Sequence, residues 1–463
     1  MHRWLVWNFV FPLQEGLKSH PTLRILKEME AADRLSVSAL EELQAQKLRR
    51  LIEYSYAHVP YVREQMNQSG VKPADIQSPA DLRLLPIMTK ADVRQHRDKL
   101  RSEIAGKLSA FSSGGSTGEP LIFDLSKYRI ASRVACRQRV SRWWGTSVGD
   151  SELALWGSPL ELTRQDWVRG LRDRAMNSRL LSAYELNEAT MSQYLDILEQ
   201  SRFRQIFAYP SAIYLLSRHA QKEGRDLRNL GTKAVFVTSE VLYPHQRELI
   251  SQTFGCPVAN GYGGRDSGFI AHDCPQGGMH LMADAVVTEI LDAEGRPVAP
   301  GESGEIVVTD LYSQEFPFLR YVTGDVGAVS TSLCACGRPL PLLARLDGRS
   351  NDSIVTPDGR IMHGQSVVSL LMEVEGVAQF RVCQRQVDHF HVQIVRNENF
   401  RPESEERIRS RWCNRLRCQV DLTFEYLPKL PAERSGKFRH IVSELPVGKV
   451  QTTAAGPASA RLS

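Results

Sequence analysis

The run Phe111-Ser112-Ser113-Gly114-Gly115-Ser116-Thr117-Gly118-Glu119-Pro120 places three glycines among four hydroxyl side chains. Glycines let successive backbone N–H groups turn toward one point, and Ser112, Ser113, Ser116 and Thr117 add donors, so the stretch can cradle phosphate oxygens. No Gly-Lys-Ser/Thr follows, which excludes a Walker loop; a flexible Gly/Ser linker is the plainer reading of the same residues. A second constellation is Cys274 and His280, matched later in the chain by Cys334 and Cys336. Three thiols and an imidazole suit tetrahedral zinc that clamps two distant loops, with His272 as a substitute nitrogen. The Cys-x-Cys spacing is tighter than the usual Cys-x-x-Cys, and free loop cysteines are the other reading. Such a metal would be structural and away from the chemistry.

These residues need a scaffold. From Val37 to Arg101, apolar residues at Leu40, Leu43, Leu48, Leu51 and Ile52 have helical spacing, punctuated by Pro60, Pro73, Pro79 and Pro86. After Leu108, short apolar runs at 152–156, 205–208, 234–238 and 257–260 alternate with helical segments, the rhythm of a layered α/β domain. Residues 286–329 read as hairpins around Asp292-Ala293-Glu294-Gly295, a β subdomain. A smaller α/β unit begins near Gly348. The expected fold is therefore α/β: a large multi-subdomain N-terminal domain over 1–348, a small C-terminal α/β domain over 349–448, and a disordered tail over 449–463.

Composition narrows the function classes. With 58 basic and 53 acidic residues the formal charge is +5, too small by itself to argue for nucleic acid and compatible with an anionic nucleotide substrate. Arg129, Arg133 and Arg137 recur every fourth residue, which reads as a solvated or partner-packing helix face in preference to a phosphate-contacting one. Eight cysteines without a secretion signal point to the reducing cytoplasm. The apolar stretch from Trp4 to Phe11 is too short to span a bilayer and is expected to pack on the body, with weak membrane-surface contact left open.

Several segments together resemble the adenylate-forming superfamily of acyl-CoA synthetases, adenylation domains and luciferases, and within it the phenylacetate-CoA ligase branch with its capsule-biosynthesis proteins. The resemblance runs from Leu43 and Val59-Pro60-Tyr61-Val62-Arg63, through Leu85-Pro86-Ile87-Met88-Thr89-Lys90, to Lys437. It implies that the 112–118 loop closes over ATP phosphates. It also implies that Thr238-Ser239-Glu240-Val241-Leu242 borders the adenine, making Ser239 and Glu240 nucleotide candidates; on residue type alone Glu240 reads equally as a helix-capping acid. Asn260-Gly261-Tyr262-Gly263-Gly264-Arg265-Asp266 is similar to the family's Tyr-Gly-x-x-acid motif, which puts Tyr262 beside adenine and Asp266 on magnesium. Most members have Glu and Thr where this chain has Asp266 and Arg265, and a structural Arg265–Asp266 salt bridge is the plainer alternative. In Tyr321-Val322-Thr323-Gly324-Asp325, the resemblance implies that Asp325 accepts both ribose hydroxyls, a bidentate task suited to a carboxylate; a turn-forming Gly-Asp is the alternative.

Arg345-Leu346-Asp347-Gly348-Arg349-Ser350-Asn351-Asp352 resembles the junction between domains, with Arg349 on ribose or phosphate, the pivot within 350–352, and a mobile small domain beyond it. Asn351 stands where many members have Asp or Lys. Arg434-Ser435-Gly436-Lys437-Phe438-Arg439 resembles the loop of the catalytic lysine, implying that Lys437 lies between the substrate carboxylate and the α-phosphate, where an ammonium offsets their repulsion. Tyr209, Pro210, Ser211, Gly263 and Gly264 are the acid-pocket candidates. The implied activity is ATP-dependent formation of an acyl-AMP and transfer to coenzyme A. Rivals are transfer to an amine, hydroxyl or carrier-protein thiol, and a catalytically silent nucleotide-binding module. ATP, Mg²⁺, coenzyme A and a structural Zn²⁺ are the expected ligands; a homodimer is open, and no nucleic-acid partner or membrane span is expected.

Overall fold

The computed structural model describes residues 3–113, 121–157, 172–183, 186–349, 353–358, 361–363, 370–371, 374–430, 440–443 and 445. Short helical pieces open it: α1 (Arg3–Leu5), a π turn over Val6–Val10, and α2 (Phe11–Leu17). α3 (Thr22–Ala32), α4 (Val37–His58), α5 (Pro60–Gln68) and α6 (Lys90–Gln95) follow. Ser36 starts α4 by accepting the Ala39 N–H at 3.2 Å, satisfying a donor that the first helical turn leaves unpaired. Pro60, which lacks an N–H to continue that helix, instead occupies the first turn of α5.

The central feature is one sheet whose strand order is β10-β11-β12-β13-β9-β8-β7-β6-β5-β3-β4. Its parallel half consists of β3 (Glu152–Trp156), β4 (Ser178–Ser182), β5 (Gln205–Ala208), β6 (Ala234–Thr238) and β7 (Val258–Gly264). α8 (Glu188–Ser201), α9 (Pro210–Lys222) and α10 (Pro244–Phe254) cover this half, burying Leu195, Ile213, Leu216 and Ile250 against Leu153, Ile206 and Val235. From β7 onward the pairing turns antiparallel through β8 (Gly268–Asp273), β9 (Met279–Leu281), β10 (Val286–Leu291), β11 (Gly304–Asp310), β12 (Tyr321–Ser330) and β13 (Leu342–Arg349). A second core joins this half to α3, α4 and α7 (Lys127–Trp143). β1 (Ser109–Ser112) and β2 (Ile122–Leu125) form a separate antiparallel hairpin.

The 205–208 and 234–238 runs are strands at the expected bounds, whereas the strand expected over 257–260 continues to Gly264. The glycines at its far end serve close approach. A Cβ on Gly261 would lie 2.9 Å from His272 Cδ2, and one on Gly263, whose φ is +155°, would lie 2.3 Å from the Gly268 carbonyl oxygen.

The last unit has the β14 (Ser353–Val355) and β15 (Ile361–His363) hairpin, and a sheet ordered β18-β17-β16-β19 from β16 (Val377–Gln384), β17 (His389–Arg396), β18 (Asp421–Tyr426) and β19 (Ile441–Ser443). α11 (Pro402–Leu416) buries Ile408, Trp412 and Leu416 against Phe380, Phe390 and Val392. The expected tail at 449–463 lies outside the described residues.

Two expectations need correction. The arginine stripe on α7, expected to be solvated or to pack on a partner, packs instead within the chain: Arg129 is 1% exposed, and Arg137 pairs with Glu152 at 2.7 Å while its guanidinium lies 4.4 Å from the Phe207 ring centre. A stripe of charge on a helix is stable inside a protein when carboxylates, carbonyls and aromatic faces receive it. The opening segment packs by one side only: Val6 and Phe11 are buried, but Trp4, Leu5, Phe9, Leu13 and Leu17 are exposed.

Candidate functional site

β7 and β12 carry the two motif tyrosines, and each phenol is tied to the other motif's acid. Tyr262 donates its O–H to Asp325 Oδ2 at 2.9 Å, and Tyr321 donates to Asp266 Oδ2 at 2.7 Å. The Ser267 N–H donates to Asp266 Oδ1 at 3.1 Å, and the Asp325 N–H is held by Thr323 Oγ1 at 3.1 Å. Burial, then the Asp266 charge, pushes the Tyr321 hydroxyl above the usual tyrosine range, so it stays a proton donor at neutral pH. Glu305 on β11 is raised by burial and then by the Asp325 charge, with Lys90 opposing. Asp325 is in register with Arg349 of β13, which brings the backbone of that candidate beside the ribose candidate.

Two arginines on α7, Arg129 buried and Arg133 half-buried, support the loop between β7 and β8. Arg129 Nε donates to Asp310 Oδ2 at 2.7 Å, its Nη2 donates to the Asp266 carbonyl, and its guanidinium lies 4.4 Å from the Phe318 ring centre. Arg133, one turn further along α7, donates to the Gly264 carbonyl at 3.2 Å and to that of Arg265. Guanidinium donors fixed by a buried carboxylate set where these carbonyls point, and with them the Asp266 side chain. Arg265 in turn donates to the Ser112 carbonyl at 3.4 Å, linking this loop to β1.

The phosphate-cradle candidate is the connection of the β1–β2 hairpin. Ser113 and Leu121 close its base through Ser113 N–H to Leu121 O at 2.9 Å and Leu121 N–H to Ser113 Oγ at 3.2 Å. Gly114, Gly115, Ser116, Thr117 and Gly118 lie outside the described residues, as does Lys437.

Glu240 does cap a helix, although not one that follows it in sequence. Its Oε2 accepts the Ser211 N–H at 3.0 Å, in the first turn of α9, where a carboxylate satisfies a free donor and faces the positive end of the helix. Ser239, just before it, has a left-handed φ of +74°. Tyr209, at the α9 N-cap, is stacked on Trp156 at 3.9 Å between ring centres. Thus Tyr209, Pro210 and Ser211 form one structural group with Ser239 and Glu240. Asn260, Gly261, Gly263 and Gly264 lie along β7, two strands from β5, and the Asn260 N–H is held by Asp273 Oδ2 at 3.0 Å.

Among the described residues, Cys274, His280, Cys334 and Cys336 place their ligand atoms within 4.8 Å of one another. Cys336 Sγ lies 3.2 Å from His280 Nε2, and Cys274 Sγ 3.5 Å from Cys334 Sγ. His280 Nδ1 meets the Leu340 carbonyl at 3.1 Å; donation there leaves the Nε2 lone pair facing the sulfurs, the arrangement a metal-bound imidazole needs. A Cβ on Gly278 would lie 2.7 Å from Cys334 Sγ, so glycine is what lets the two loops meet. His272 is not in the group; it is buried, with Nδ1 at 2.8 Å from the Asp273 carbonyl.

Tyr321, Arg129, Arg133 and Asp310 were not singled out as site residues from sequence. Tyr321 opens the very motif that ends in Asp325, and its position was the available signal. Asp310 had none, because its partner is 181 residues away.

The model of the CapK C-terminal domain matches residues 354–444. Protein CapK of Staphylococcus aureus is 22% identical over 410 residues, covering 88% of this chain and 90% of that protein. The phenylacetate-coenzyme A ligase of Thermus thermophilus is 23% identical over 450 residues, covering 90% of this chain and 98% of that one. A crystal structure of 2-hydroxyisobutyryl-CoA ligase in the postadenylation state, in complex with R3-HIB-AMP, superposes with a TM-score of 0.72 at 18% identity, covering 89% of this chain and 91% of that one.

Proposed function

We infer that this chain, a member of the adenylate-forming superfamily in its phenylacetate-CoA ligase branch, uses ATP to activate a carboxylic acid as an acyl-AMP and passes the acyl group to coenzyme A. The observation that carries this reading is the paired tie of Tyr262 to Asp325 and Tyr321 to Asp266, because it gathers the adenine, ribose and metal candidates of two distant motifs.

In the proposed first half-reaction, Asp325 accepts the ribose hydroxyls, while Tyr262 lies against the adenine and its O–H helps hold the Asp325 carboxylate. The 112–118 loop holds the phosphates from the base closed by Ser113 and Leu121. Asp266 fits Mg²⁺, since Tyr321 and Ser267 each occupy only part of the acceptor capacity of its two oxygens. Bound there, the ion would neutralise phosphate charge. Ser239 and Glu240 shape the nucleotide side of the α9 N-terminus, and Arg349 contacts ribose or phosphate. Lys437 offsets the repulsion between the substrate carboxylate and the α-phosphate.

The acid is proposed to lie against Tyr209, Pro210, Ser211, Gly263 and Gly264. The Trp156–Tyr209 stack makes that wall aromatic, which suits an aryl or other apolar acid. In the second half-reaction the small domain, 349–448, turns about 350–352, withdraws Lys437 and admits the acceptor. The Cys274, His280, Cys334 and Cys336 group is read as a structural zinc site with no step in the reaction. No described helix is long and apolar enough to cross a membrane, and the cytoplasm is the proposed location.

Acid-dependent exchange of pyrophosphate into ATP, measured over a panel of aryl, fatty and amino acids, tests this reading. Exchange with one acid class, followed by thioester formation on adding coenzyme A, is expected. No exchange with any acid would overturn the enzyme assignment, and exchange without thioester would move the acceptor to an amine, hydroxyl or carrier thiol.

A further inference from the structure

We propose that the face formed by Trp4, Leu5, Phe9, Leu13 and Leu17 docks the protein on the surface of an anionic lipid bilayer. These five side chains are between 43% and 79% exposed, on a segment that the proposed chemistry does not use.

The local geometry explains how one short segment holds two apolar sides. Five α-helical residues sweep about 500°, leaving their side chains about 140° apart. The Phe11 N–H bonds to the Val6 carbonyl in the wider π turn, which brings Val6 and Phe11 closer to one side, and both are buried. Trp7 holds the segment to the body by stacking on Phe11 at 5.8 Å, with the Arg142 guanidinium 4.3 Å from its ring centre. With the inner side occupied, Trp4 and Phe9 pack edge to face at 5.5 Å on the outer side, leaving their remaining faces and three leucines in solvent. Exposed apolar groups gathered in this way mark a surface for docking.

Charge selects the occupant. Between residues 3 and 28 the exposed charged side chains are the cations Arg3, Lys18, Arg24 and Lys27 and one carboxylate, Glu28, which pairs with Arg24 at 3.8 Å, so the exposed charge stays net positive. The other carboxylate there, Glu15, is buried and engaged by Lys18, His20 and Thr22, and the carboxylate facing Arg3, Asp150 at 3.5 Å, is buried as well. Tryptophan and phenylalanine beside basic residues suit the lipid headgroup boundary, where the rings enter the acyl region and the cations meet phosphate. A second copy seated on the same face would bring these like charges together, because a two-fold contact opposes a patch to itself. The segment is an anchor lying in the interface and leaves the rest of the chain in water.

Vesicle flotation of the full chain tests this, using phosphatidylcholine alone and an equal mixture with phosphatidylglycerol. Binding to the mixed vesicles, weakened by raised salt, is expected. A Trp4→Ser, Phe9→Ser, Leu13→Ser variant should lower the partition coefficient roughly 10-fold or more while the far-ultraviolet spectrum and melting temperature stay put. An Arg24→Gln, Lys27→Gln variant should weaken binding to the mixed vesicles only. Equal binding of parent and serine variant, or no binding by either, would overturn the proposal. So would a parent dimer in solution that the serine variant converts to monomer, since that would make a second copy the occupant.

Discussion

The Tyr262 hydroxyl lies 2.9 Å from Asp325 Oδ2, joining the last strand of the parallel half of the sheet to a strand of the antiparallel half. A parallel-to-antiparallel switch leaves the ends of β7 and β12 facing a common space, and the hydrogen bond fixes the carboxylate orientation before any nucleotide arrives. Asp325→Ala should therefore weaken ATP binding by roughly 10- to 100-fold, as expected for losing a charge-assisted hydrogen-bond pair. Affinity for the acid should be nearly unchanged. Calorimetric titration with ATP and with 2′-deoxy-ATP checks this: an unchanged ATP affinity would remove Asp325 from the site. Tyr262→Phe should give a smaller loss, since it keeps the ring.

Arg129→Met should destabilise the fold by about 3–5 kcal/mol, because it leaves Asp310 charged, buried and without its guanidinium. Arg129→Met with Asp310→Leu removes both charges and should recover much of that loss, while adenylate formation stays impaired because the Asp266 carbonyl has lost its donor. Urea melts of the single and double variants, beside single-turnover adenylation, separate the two effects. Full recovery of both would make the arginine a packing residue only.

This pair also shows where sequence reading stops. Three strands, and the glycines around Tyr262 where backbones approach, were legible because they depend on local chemistry: apolar runs alternating with helical segments mark where helices cover a sheet. Arg129 and Arg133 read as a solvated or partner-packing face because a charge stripe has the same spacing whether water, a partner or a buried carboxylate receives it. Glu240 was read equally as a nucleotide candidate and as a capping acid, without its partner, since the N–H it accepts, that of Ser211, lies 29 residues earlier. The exposed side of the opening segment depends on a π turn, which no periodicity of 3.6 residues reveals.

Cys334→Ser should abolish bound zinc and lower the melting temperature more than it lowers the rate measured well below that temperature. The reason is geometric: the metal would join the turn at 274–280 to the loop at 334–337, which meet thiol to imidazole at 3.2 Å and thiol to thiol at 3.5 Å. Elemental analysis of protein never exposed to chelator should give about one zinc per chain. Absence of zinc from such a preparation would remove the site.

His440 supplies a pH dependence with a defined sign. Burial pushes its imidazole down to about 4, and its Nδ1 faces the Phe380 carbonyl at 3.2 Å, while Tyr243 packs at 5.7 Å between ring centres. Between the ordinary histidine value near 6.5 and about 4, the unfolded chain binds this proton and the folded chain does not. The contribution of the neutral ring is therefore present above that window and lost as the pH falls through it, a change of about 3 kcal/mol. Urea melts between pH 4 and 7 should show stability falling toward acid, with a shallower slope in His440→Phe. Equal slopes would show that His440 keeps its proton equilibrium on folding.

Lys437 is proposed to act in one half-reaction only. Adenylation brings together a carboxylate and a polyphosphate, and a placed ammonium is worth most as charge moves toward the leaving pyrophosphate. Lys437→Ala should reduce acyl-AMP formation by about 100-fold or more, the scale of a lost transition-state contact of about 3 kcal/mol. Thioester formation needs no such neutralisation, and in the proposed rotation about 350–352 the lysine has left the site before coenzyme A reacts. Supplying chemically prepared acyl-AMP should therefore restore transfer to the parental rate. A variant that transfers the supplied acyl group as slowly as it forms the adenylate would show that the lysine is structural or that the small domain does not turn. A variant that forms the adenylate at the parental rate would remove Lys437 from the active site.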